Sequence, residues 1–172
     1  MQQYPEDILS ALIASLAGQY PEMDTETLEE RINIIRHKLK FFTEDQKPEV
    51  CLLTSANGEW YRDAYTEALV QLAGGRIWRS DTGTPAGPGL LLIVYRGQLS
   101  KELEALPGLL MQPQWALSPA VQHNRIYLAD GHRFLTGPGA GMAEDAELLA
   151  EILHPRQFIY GYNGDGWLQF EL

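Results

Sequence analysis

At 172 residues, 45% of them hydrophobic, the chain is long enough for one domain with a real core. Its net charge of −10 and isoelectric point near 4.8 argue against a nucleic-acid backbone as partner. No apolar run approaches the roughly 18–20 residues that would span a bilayer, and a single cysteine, Cys51, excludes an internal disulfide.

The opening MQQYPEDILS has no basic region and no continuous apolar stretch, so it does not read as a secretory signal. As written, the chain is expected in the cytoplasm, or in the periplasm if it is a trimmed piece. Residues 6–17 place Ile8, Leu9, Leu12, Ile13 and Leu16 on one face of a helix ended by Gly18. Asp24 reads as an N-cap, with Met23 and Leu28 spaced as a hydrophobic staple. The helix that follows carries Leu28, Ile32, Ile35, Leu39 and Phe42 on one face. Glu29, Glu30, Arg31, Arg36, Lys38 and Lys40 stand on the other. Residues 1–47 are thus expected to form a helical brace, and 48–172 an α/β lobe, the two making one compact unit.

Residues 50–54 form a short apolar strand with Cys51 as a buried small hydrophobe, followed by the turn Ser55-Ala56-Asn57-Gly58. Residues 60–72 read as a helix with Tyr61, Ala64, Tyr65, Ala68, Leu69 and Leu72 inward. Gly74-Gly75 ends it, a brief strand spans 76–78, and a Gly/Pro-rich loop spans 80–89. Residues 90–95 are apolar without alternation, the mark of a central parallel strand covered on both faces. A short helix at 100–106, a further turn in 115–121 and a strand at 125–129 follow. A polar loop (130–133) and a glycine-rich bend (136–141) lead to a helix stopped by His154-Pro155. Its free N–H groups could face an anion. Residues 157–162 and 167–172 alternate around Asn163-Gly164-Asp165-Gly166, a β-hairpin signal. The expected fold is α/β: three layers, a mostly parallel sheet with helices on both faces, an N-terminal brace and a C-terminal hairpin.

The four histidines, His37, His123, His132 and His154, share no i, i+3 or i, i+4 spacing, and with no cysteine pair a structural zinc site is not expected. His154 reads as a helix C-cap favoured by the helix dipole, and His37 as a solvated side chain. No G-x-S-x-G is present, and TGPGAGM lacks the Lys-Ser/Thr of a phosphate loop. Neither an enzyme nor a cofactor is expected. Aromatic-plus-arginine groups recur where strands end: Trp60, Tyr61 and Arg62; Trp78 and Arg79; Tyr95 and Arg96; then Asp130, His132, Arg133 and Phe134. In open α/β sheets ligands sit beyond the carboxyl ends of the strands. Aromatic faces stack on flat rings and arginine clamps carboxylates, so the set suits a flat, charged ligand. The alternative is that the tryptophans cap the core.

The tail AVQHNRIYLADGHRF…GPG…EDAELLAEILHPRQF resembles the closing pattern of class III periplasmic binding proteins, the ABC-importer receptors for cobalamin, haem and iron-siderophore complexes. The matching residues are Trp115, Ala120-Val121, Arg125-Ile126-Tyr127, Gly137-Pro138, Leu153-His154-Pro155 and Phe158. Upstream, the brace resembles the helix joining that family's two lobes, and PEVCLLT through LAGGRIW resembles the first unit of its second lobe. The likeness covers about residues 6–158 and leaves the terminal hairpin outside. It implies a non-enzymatic ligand-binding half-receptor for a corrinoid, haem or iron chelate. It places Trp60 and Tyr61 in the first ligand loop and Asp130, His132, Arg133 and Phe134 in the last. Nothing here matches the family's first lobe. Its permease-docking Ser-x-Glu helix is replaced by SDTGTPAGPG, and its Gly-Pro-Arg reads Gly137-Pro138-Gly139. The alternative is an adaptor that kept the fold and lost ligand and permease. Trp60, Tyr61, Tyr95 and Phe134 are expected on an exposed wall closed by a second copy, as a homodimer, or by a separate first-lobe chain.

Overall fold

The computed structural model describes residues 5–171, and of residues 5–9 and 12 it describes the backbone only. The apolar positions Ile8, Leu9 and Leu12 and the terminal Leu172 lie outside the described side chains. Runs of apolar residues build a five-stranded sheet: β1 (Glu49–Leu53), β2 (Arg76–Ile77), β3 (Leu90–Tyr95), β4 (Ile126–Asp130) and β5 (Trp167–Gln169). The order is β2-β1-β3-β4-β5, parallel except that β5 pairs antiparallel with β4. In β3 the period-2 pleat sends Leu90, Leu92 and Val94 to one face and Leu91 and Ile93 to the other, and all five are buried. Seven helices are described: α1 (Pro5–Gln19), α2 (Thr25–Leu39), α3 (Ala64–Leu72), α4 (Leu99–Leu110), α5 (Pro113–Ala116), α6 (Pro119–Gln122) and α7 (Met142–Leu153). Helices α3 and α7 cover one face of the sheet, and α4–α6 cover the other.

The brace forms as its spacing requires. Asp24 caps α2 by accepting the Thr27 N–H at 3.0 Å, and Leu28, Ile32, Ile35 and Leu39 are buried. Helix α1 packs on α3, and α2 on α7. Arg31 of α2 locks the second contact by pairing with Glu144 at 2.9 Å and with Glu147 of α7.

Three expectations are corrected. Helix α3 starts at Ala64, not residue 60, because the Tyr61 N–H donates to the Leu52 carbonyl (3.0 Å) and keeps this stretch extended beside β1. Asp63 then caps the helix through Thr66, which leaves Ala64 exposed. Helix α4 runs through Pro107 to Leu110, since burying Leu106, Leu109 and Leu110 against the sheet outweighs one lost hydrogen bond. The hairpin does not form: residues 157–162 make no strand, and β5 joins the main sheet on β4 instead. The cause is Glu151 of α7. Its buried carboxylate accepts the N–H groups of Tyr160, Gly161, Tyr162 and Asn163, which a ladder would have used.

His154 stands at the C-cap of α7 as expected, but it is buried and its Nε2–H meets the Gly74 carbonyl at 2.9 Å. Desolvation pushes its pKa below the ordinary 6.5, so here burial outweighs the helix dipole. A His whose pKa is lower folded than unfolded costs stability as pH falls from 6.5 towards the folded value, because the unfolded chain takes up the proton first. The urea midpoint is expected to drop across that window. In His154→Gln the drop becomes shallower, and an unchanged slope would refute the assignment.

Candidate functional site

The carboxyl ends of β1, β3 and β4 open on one edge of the molecule, and local turns decide which way each side chain faces there. Beyond β1 the chain doubles back: Thr54 donates to the Glu59 carbonyl (2.8 Å), and Gly58 adopts φ +89°, which favours glycine. The Ala56 N–H ties this loop to Glu102 of α4 at 2.6 Å. The extended backbone that follows sends neighbours to opposite faces. Trp60 goes to the α4–α6 side, where it stacks on Trp78 (5.8 Å, 15° between planes) and leans on Trp115 at 6.4 Å. Tyr61 goes to the other side and is buried.

Tyr61 lies beneath Arg96 from the end of β3. The guanidinium sits 5.1 Å from the ring centroid and donates to the Tyr61 hydroxyl at 3.1 Å and to the Leu135 carbonyl at 2.9 Å. Leu135 has φ +59°, a left-handed conformation that costs a leucine on the order of 1–3 kcal/mol. It is held from both ends: Arg96 takes the carbonyl, and the Leu135 N–H donates to Asp145 Oδ1 at 2.9 Å. Asp145 Oδ2 accepts the Tyr65 hydroxyl at 2.7 Å. Burial raises the pKa of Asp145 against the pull of both hydrogen bonds, and burial plus this carboxylate raises that of Tyr65 far above its usual range.

A second group adjoins the first through the β3–β4 register, which sets Tyr95 opposite Asp130. Asp130 Oδ1 accepts the His132 N–H at 2.9 Å, and the imidazole stands edge-on to Tyr95 at 6.3 Å. His132 Nε2 lies 3.1 Å from the Gly97 carbonyl, so Nε2 carries the proton and Nδ1 is the free acceptor. Arg133 is tied down by Asp165, at 3.0 and 3.1 Å to its two carboxylate oxygens, and covers the Phe134 ring at 5.3 Å. Arg62 is exposed and has no ion-pair partner among the described residues.

The structure therefore brings Tyr61 with Arg96 and Tyr95 with Asp130 and His132. It ties Arg133 and Phe134 to the C-terminal segment, leaves Arg62 in solvent and turns Trp60 towards Trp78 and Trp115. The exposed aromatic wall is corrected: Tyr61 and Phe134 are only 9% and 6% exposed, covered by Arg96 and by Tyr162 respectively. Sequence reasoning named neither Leu135 nor Asp145 as a site residue. A carboxylate amid Met142, Ala146 and Leu149 on an inward helical face was the available signal for the second; nothing in the sequence marked the first. Among the described residues no group of three or more His, Cys, Asp or Glu is placed to hold a metal ion.

No family profile and no curated protein sequence matches this chain. Solved structures do. An ABC transporter substrate-binding protein from Listeria monocytogenes superposes with a TM-score of 0.66 at 20% identity, over 87% of this chain and 65% of that one. A periplasmic haem-binding protein from Pseudomonas aeruginosa gives 0.61 at 18%, over 86% and 61%. IsdE of Staphylococcus aureus, solved in complex with haem, gives 0.59 at 17%, over 88% and 65%. The chain thus spans less than two thirds of the length of each of these proteins. The sheet order, the flanking helices and these superpositions agree: the chain has the fold of a lobe of the periplasmic substrate-binding proteins of ABC importers.

Proposed function

We propose that the strand-end surface of this lobe forms one wall of a cleft for a flat, anionic small molecule, namely haem, a corrinoid or an iron chelate. The chain is then a ligand-binding half-receptor rather than an enzyme. The observation that carries the reading is the meeting of Tyr95 with Asp130 and His132, beside the Tyr61–Arg96 pair, at strand carboxyl ends. An arginine suits carboxylates, and the aromatic ring suits a macrocycle. The fold-level likeness to proteins described as haem-binding supports the same ligand class. A second copy or a separate first-lobe chain supplies the facing wall.

Titration with haemin tests the reading. The parent is expected to shift the Soret band saturably. His132→Ala and Arg62→Ala, both at exposed positions, are expected to weaken binding five- to a hundred-fold, or about 1–3 kcal/mol each. If neither haemin nor cobalamin binds the parent, the half-receptor reading falls. An interaction module is then the reading left, favoured by the way Arg96 and Arg133 are already satisfied within the chain. Closure by a second copy predicts a dimer in sedimentation equilibrium, and a single 19.3 kDa species at all concentrations would exclude it.

A further inference from the structure

A cavity of about 1250 Å³ lies along the β2 edge of the sheet, between α2 with the segment after it on one side and α3 with edge strand β2 on the other. Five of the chain's thirteen Lys and Arg residues line it: Arg36, Lys40, Lys47, Arg76 and Arg79, with His37 beside them. Two carboxylates, Glu44 and Glu67, share the lining and a third, Glu49, pairs with Arg76, which leaves a local excess of two positive charges in a protein of net charge −10. Such clustering against the overall charge focuses potential into a concave site, where low-dielectric walls strengthen it.

The cations are unequally engaged. Arg79 pairs with Glu67 at 2.7 Å and Lys47 with Glu44 at 3.1 Å, while Arg76 binds the Lys47 carbonyl at 3.0 Å and pairs with Glu49 at 3.9 Å. Arg36 and Lys40 have no carboxylate partner among the described residues. Arg36 reaches only Asn33 at 3.3 Å, and its Nε is buried with no acceptor among the described residues. The half-exposed guanidinium of Arg36 therefore has no charge partner among the described residues, and a multi-oxygen anion supplies one. Leu39, Phe42, Leu72 and Ile77 add an apolar surface to the same cavity.

We propose that this cavity binds a phosphorylated organic anion of nucleotide size. Its phosphates lie against Arg36, Lys40 and the neighbouring cations, and its apolar body against Phe42 and Ile77. Three arginines in one lining favour oxygen clusters that accept forked hydrogen bonds, and an excess of two charges matches a phosphate group rather than a lone carboxylate. A concave site with an apolar floor favours a small molecule over an extended acidic chain. The inference is independent of the ligand read for the strand ends.

Calorimetric titration of the full chain with metal-free ATP tests it, with tripolyphosphate and adenosine as the two halves of the probe. Saturable one-to-one ATP binding that weakens with added salt is expected, tighter than either half. In Arg36→Gln/Lys40→Gln the affinity should fall about tenfold or more. Both side chains act locally on α2 or just past it, so the melting temperature should hold. Lys40→Glu alone, expected to weaken ATP binding as well, serves if the double variant unfolds. No saturable heat, equal affinity in both variants, or equal binding of adenosine and ATP would each overturn the proposal. So would displacement of ATP by a glutamate-rich peptide of higher affinity, which would assign the groove to a protein partner.

Discussion

Glu151→Ala is expected to lower the unfolding free energy by about 3–5 kcal/mol, a large part of the roughly 5–15 kcal/mol typical of a domain. Glu151 is 4% exposed, and its two oxygens accept five hydrogen bonds. Oε2 takes the N–H groups of Tyr160 and Gly161, the second at 2.9 Å. Oε1 takes those of Tyr162 and Asn163, both at 3.0 Å, and the Trp167 indole N–H at 2.8 Å. Truncation strands four backbone donors and an indole, each worth about 1–3 kcal/mol if it stays dry. Water entering the gap recovers part of that, hence the figure given. The segment so released also carries Tyr162, which covers Phe134, and Asp165, which holds Arg133, so the damage reaches the strand-end surface. Glu151→Gln keeps the shape but turns an NH2 towards donors, and an intermediate loss of about 2 kcal/mol is expected. Urea unfolding reads both variants, and hydrogen exchange should show amides 160–163 opening first in Glu151→Ala. A loss below about 1 kcal/mol would mean that the segment is held by its ring packing instead.

This carboxylate also explains what the sequence hid. The interior strands were legible because residues 50–53 and 90–94 are continuously apolar, a pattern that only burial on both faces explains. Helix α2 was legible because its cap, staple and stripe agree with one another. The hairpin misled because Asn163-Gly164-Asp165-Gly166 and its alternating flanks are strictly local signals. Their competitor sits nine to twelve residues upstream and acts through space. Residues 60–63 failed in the same way: their helical spacing is real, but the Leu52 carbonyl claims the Tyr61 N–H. At the candidate site the residue types were readable, because aromatic-arginine pairs follow recognisable strands. Their partners were not. That Arg96 shields Tyr61 depends on Leu135 adopting φ +59°, which depends in turn on a carboxylate ten residues further on.

Gly131→Ala is expected to damage stability and binding together, by about 2–4 kcal/mol of unfolding free energy and about tenfold or more in haemin affinity. Gly131 follows β4, and its N–H donates to the Tyr95 carbonyl at 2.8 Å. A Cβ built there would lie 2.6 Å from that same oxygen and 3.0 Å from both Arg96 Cγ and Val94 Cγ1. The first of these is a backbone atom of a buried parallel ladder, so no side-chain rotation relieves it. Either the Gly131–Tyr95 hydrogen bond opens or β3 and β4 splay at their carboxyl ends. Both routes move the backbone between Asp130 and His132, and with it the imidazole that now reaches the Gly97 carbonyl at 3.1 Å. Gly139→Ala is the matched control: a Cβ there meets nothing within 4 Å, and its effect should stay within about 0.5 kcal/mol. Urea unfolding and a Soret titration on the same preparations separate the two losses. Full parental stability in Gly131→Ala would show that the strand ends yield freely. An intact fold that binds haemin with parental affinity would remove His132 and its loop from the cleft.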